Sequence, residues 1–183
     1  YDAALPHTLA LSRVTALRNV LDTEPVSNES LLLLDACVMG AAETTAGPLT
    51  RLCAERAPAW LARAFSSDAH AVRASRSLAD ASEVASLDYA PILARAAAAP
   101  NVASALVIAW RALDAAPQST CDLPFVLDAL QAPDRALRLA ALGVCANLAS
   151  VPRTAVEALL DERDGVVFGA AAHAVRALSL KME

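Results

Sequence analysis

The chain has 183 residues, 56% of them hydrophobic but only 4% aromatic, and a formal net charge of −5 from 15 basic and 20 acidic residues. That balance argues against a generic binder of nucleic-acid backbone, which needs a basic stripe. The mean hydropathy of +0.41 does not imply a membrane span: the longest uncharged stretch lies between Arg95 and Arg111 and is interrupted by Pro100-Asn101, whereas a spanning helix needs about 20 mostly apolar residues.

The apolar excess is largely alanine, the best helix former and one that lets helices approach closely. With 5 glycines and no convincing alternation, the expected class is all-α. In chain order, Ala10, Val14, Leu17 and Leu21 mark a first amphipathic helix. Ser27 or Asn28 caps a second, running through Leu31–Leu34 to about Ala42. Gly47-Pro48 is a stop-and-start signal followed by Leu49–Glu55.

From there a period takes over. Pro25, Pro58, Pro91 and Pro124 are each 33 residues apart, and apolar residues coincide just after the last three. Asp68, Asn101 and Asp134 continue the register, and Asp164 follows 30 residues later, where Thr154 replaces proline. Proline is tolerated in a first helical turn, and Asp or Asn accepts an otherwise orphaned backbone N–H. Each unit therefore reads as proline, a short helix, a turn, a cap and a longer second helix. The expected units are 57–83, 88–116, 122–149 and 152–180. Residues 1–56 are an atypical N-terminal part of the same single domain, 1–183, with Pro25 marking a degenerate end unit. Stripes at Val102, Leu106, Ala109, Leu113 and at Leu137, Ala141, Val144, Leu148 place one face of each second helix in the core.

No catalytic, cofactor-binding or metal motif stands out. His7, His70 and His173 are scattered singly. The aligned acidic caps lie about 8–10 Å apart when helices stack, too far to share an ion at about 2.3–2.6 Å. Cys37, Cys53, Cys121 and Cys145 form no C-x-x-C and suit a reducing compartment. The expected location is intracellular, cytoplasmic, with a mitochondrial protein bearing a cleaved targeting segment as the alternative. Trp60 falls on an in-register apolar position and belongs to the core, whereas Trp110 flanks its stripe. Trp110, with Arg73 and Arg138 shortly after their caps, forms the candidate partner-binding set; pairing with acidic caps is the competing role for the arginines.

The segment from Pro133 through Asp134, Leu137-Arg138 and Ala140-Ala141 to Gly143 resembles the turn and second helix of a HEAT repeat, as does Ser67-Asp68 through Val72-Arg73-Ala74. Asp164 through Ala171 keeps the Asp and the apolar positions without the Arg. The spacing is shorter than the family's, near 40, and the ankyrin signature is absent; armadillo repeats are near neighbours. The resemblance covers about 57–180. It implies a short right-handed α-solenoid of stacked helical hairpins that scaffolds other proteins, as a subunit or segment of a larger assembly. A few relatives are enzymes, including bilin lyases and alkylpurine DNA glycosylases, so a HEAT-type enzyme or cofactor handler is the alternative.

Overall fold

The computed structural model describes residues 4–44, 47–116, 123–148 and 152–180, with side chains from Ser12 onward. His7 and Cys121 therefore lie outside the described side chains. Among the described residues the structure is all-helical, with no strand. Its contacts gather into two compact units, Tyr1–Asp88 and Tyr89–Glu183.

The first unit contains α1 (Ala4–Thr23), α2 (Asn28–Ala42), α3 (Pro48–Phe65), α4 (Asp68–Ala74), a 3₁₀ turn (Ser75–Ser77) and α5 (Leu78–Val84). Ser27 caps α2 in a reciprocal box: its side chain accepts from the Ser30 N–H while the Ser30 hydroxyl accepts from the Ser27 N–H. Leu31, Leu34, Cys37, Val38 and Ala41 then bury one face of α2. That face packs on α3 and α5.

Two residues of α3 hold the end of α1. The Trp60 indole donates to Asp22 Oδ1 at 2.7 Å, and Arg63 donates to the carbonyls of Leu21, Asp22 and Glu24. Those carbonyls belong to the last turn of a helix and just beyond it, where no intrahelical donor reaches them.

The expected helix start at Pro58 is not found. Pro58 sits inside α3, which begins ten residues earlier at Pro48. An interior proline costs about 3 kcal/mol. Ala57, Trp60, Leu61, Ala64 and Phe65 are all buried around and beyond it, and each large side chain returns about 1.5–3 kcal/mol. Burial therefore carries the helix through the proline. The following helix is also divided, by the 3₁₀ turn, and Ser67 rather than Asp68 occupies its cap position.

The second unit follows the expected hairpin pattern closely. It contains α6 (Ala90–Ala97), α7 (Val102–Ala115), α8 (Pro124–Leu130), α9 (Arg135–Asn147), α10 (Arg153–Glu157), which runs into a 3₁₀ segment (Ala158–Asp161), and α11 (Gly165–Leu180). Pro91 and Pro124 occupy first-turn positions. In the last hairpin Pro152 stands at the cap of α10, so the unit carries a proline two residues before Thr154. Asn101 caps α7 through the Ser104 N–H at 2.8 Å, and Asp134 caps α9 through the Ala136 N–H at 2.7 Å. Asp164 accepts from the N–H groups of Val166 and Val167 at 2.9 and 3.3 Å.

Within this unit α6 packs on α7, α8 on α9 and α10 on α11, while α9 packs on both α7 and α11. The three longer helices thus form a layer in chain order. Leu106, Ala109 and Leu113 are buried as their stripe requires, as are Ala141, Val144 and Leu148. The first residue of each stripe is the exception: Val102 is exposed and Leu137 half-buried, both in the first turns of their helices.

Candidate functional site: an apolar helix-layer face

Aligning the three caps superimposes Trp110, Gly143 and His173, each nine residues beyond its cap. Trp110 is 46% exposed, unusual for a tryptophan inside a helix pair. The reason lies on the next helix. A Cβ at Gly143 would sit 3.8 Å from Trp110 Cδ1 and Nε1. The pyrrole edge of the α7 indole therefore lies close to the bare backbone of α9, while about half of the side chain stays exposed.

Positions sharing that helical side are two, six and thirteen residues after each cap. On α7 they are Ala103, Val107 and Asp114; on α9 Ala136, Ala140 and Asn147; on α11 Val166, Ala170 and Ala177. All are half-buried or exposed. Only Asp114, Asn147 and His173 interrupt an otherwise apolar face. Alanine is its commonest residue, and the Trp110 ring is its one large apolar side chain near the middle. Val166 is 55% exposed, and Phe168, two residues on, is 47% exposed.

Each arginine of the candidate set has its own surroundings. Arg138 Nη1 donates to the carbonyls of Ala132 and Pro133 at 2.9 and 3.2 Å, holding the turn between α8 and α9. The arginine that reaches an acidic cap of the next hairpin is Arg135, whose Nε lies 2.7 Å from Asp164 Oδ2. Arg73 belongs to the first unit, Trp110 and Arg138 to the second.

Arg73 lines a small hollow with Arg76 and with Leu31, Leu32 and Asp35 of α2. The hollow is far smaller than the roughly 300–1,000 Å³ of small-molecule sites. It accommodates side-chain ends rather than a whole cofactor. Sequence reasoning missed Arg76, Leu32 and Met39; Leu32 is 56% and Met39 49% exposed.

Among the described residues no group of three or more His, Cys, Asp and Glu side chains is placed to hold a metal ion. Nor is any described helix long and apolar enough to cross a membrane. Cys37, Cys53 and Cys145 are buried free thiols; burial pushes Cys53 and Cys145 up to about 12, away from nucleophilic use. Comparison with protein-family models, curated proteins and solved structures finds no match to this chain.

Proposed function

We propose that the chain is a non-catalytic helical-repeat scaffold of HEAT or armadillo type that docks onto another protein. In this reading its hairpins belong to a short right-handed solenoid, and the face of α7, α9 and α11 is the contact surface. One observation carries the reading: a half-exposed tryptophan close to a glycine in the middle of an apolar helix-layer face. Tryptophan is enriched among the residues that dominate binding energy, and such residues sit within apolar, water-excluding surroundings. The buried thiols suit a reducing, intracellular setting.

Crosslinking of the native protein followed by mass spectrometry tests this. The expected result is a stable protein partner crosslinked to residues of α7, α9 and α11. A strictly monomeric protein that turns over a small molecule overturns the reading.

A further inference from the structure

The first unit carries a second surface, independent of the Trp110 face. Its geometry begins with the break between α4 and α5. A 3₁₀ segment has three residues per turn, so side chains three apart eclipse. Arg73 lies near the end of α4 and Arg76 in the 3₁₀ turn; the break brings both into the hollow beside Leu31, Leu32 and Asp35.

The turn is pinned in place. Ser75 and Ser77 are the buried polar residues among those described. The Ser77 hydroxyl donates to Asp35 Oδ1 at 2.9 Å, and the Ser75 hydroxyl to the Val72 carbonyl at 2.7 Å. A buried hydroxyl left unpaired is costly; the Ser77 bond ties the turn to α2, and the Ser75 bond closes it on the end of α4.

The local charges are unevenly used. Asp35 is engaged by Ser77. The Glu29 carboxylate is held below its usual range by its own backbone N–H first, then by Ser27, with Arg73 a more distant contributor. Among the described residues neither Arg73 nor Arg76 forms a hydrogen bond or an ion pair. Two guanidinium groups, each with five N–H donors, thus share a hollow lined by a single carboxylate, that of Asp35. Beside them, Leu32 and Met39 stand seven residues apart on one side of α2, both about half exposed.

We infer that this hollow and the adjoining α2 face dock a partner segment carrying carboxylates beside aliphatic side chains, an acidic amphipathic peptide. Carboxylates match the guanidinium forks bidentately, and an aliphatic row covers Leu32 and Met39. Nucleic acid offers the anions without the aliphatic row. The inference rests on the reading of the chain as an interaction module, though on a different surface.

The test is a titration of the ¹⁵N-labelled chain with two synthetic helical peptides. They share one leucine face and differ only in bearing glutamates or lysines opposite it. The glutamate peptide is expected to shift the amide signals of Leu32, Asp35, Arg73 and Arg76 and to bind roughly tenfold more tightly than the lysine peptide. The paired substitution Arg73→Glu with Arg76→Glu, checked for folding by circular dichroism, is expected to reverse that preference. The inference is overturned if the peptides bind equally or not at all, if the shifts map elsewhere, or if the folded variant still prefers the glutamate peptide. A native partner that crosslinks to α7, α9 and α11 and is retained undiminished by the doubly substituted chain leaves the scaffold reading standing and removes this site.

Discussion

Trp60 and Asp22 are joined across 38 residues of sequence by a 2.7 Å hydrogen bond from the indole N–H to the carboxylate. That bond, ahead of the nearby Arg56 and Arg18, holds Asp22 below its ordinary value of 3.8. Its stabilisation is therefore complete above that ordinary value and is lost as pH falls through the lowered folded value. Replacing Asp22 by Ala leaves a buried indole N–H without its acceptor and is expected to cost about 1–3 kcal/mol at pH 7. In denaturant titrations the gap between wild type and variant should narrow as pH falls below 3.8. A gap unchanged by acid would show that the charge of Asp22 contributes nothing.

Capping is local, and its loss should be local in origin too. Asn101→Ala and Asp134→Ala each remove a side-chain acceptor from an exposed first turn, so each should lower stability by about 1 kcal/mol. Asp164 both caps α11 and pairs with Arg135. Its stabilisation should weaken in acid as the carboxylate protonates, because the Val166 N–H, then Val167 and Arg135, hold it below its usual range. Thermal melts of Asp164→Asn against wild type across that range provide the measurement.

Gly143 permits a sharper contrast. A methyl group there would meet the Trp110 ring at 3.8 Å, an ordinary contact. Gly143→Ala should therefore keep the indole in place and gain about 0.5–1 kcal/mol from helix propensity. Gly143→Leu should push the ring outward. With Trp60 replaced by Phe, Trp110 is the sole tryptophan, and its emission should stay put in the first variant and shift to the red in the second.

The buried thiols give a chemical prediction. Cys53 and Cys145, both pushed up to about 12 by burial, and Cys37, raised for the same reason, should resist alkylation at neutral pH in the folded chain. All three should react on denaturation, as read by peptide mass mapping. Rapid labelling of Cys145 in the native state would contradict the packing of α9.

What was legible in the sequence was mostly local. The caps at Asn101, Asp134 and Asp164 could be read because the acceptor and its N–H are two or three residues apart. Trp110 could be separated from the core because it falls off the stripe of Leu106, Ala109 and Leu113. Pro58 misled because burial of Trp60, Leu61 and Phe65, a tertiary effect, carries α3 through it. Arg138 was read as a surface or cap-pairing group, yet it serves the carbonyls of its own turn, a bond that depends on where α8 ends. Arg135, the residue that does pair with Asp164, had no distinguishing pattern. One missed signal was available: four consecutive helical residues, Leu31–Leu34, span most of a turn and cannot all face inward, and Leu32 is the one left outside.

Hydroxyl-radical footprinting of the native protein, with its partners in place and after their removal, tests the central claim most directly. The scaffold reading predicts that Trp110 and Val166 are protected in the assembly and oxidised readily once the chain is isolated, in keeping with their exposure of 46% and 55%. Equal oxidation of both residues in the two states would contradict it.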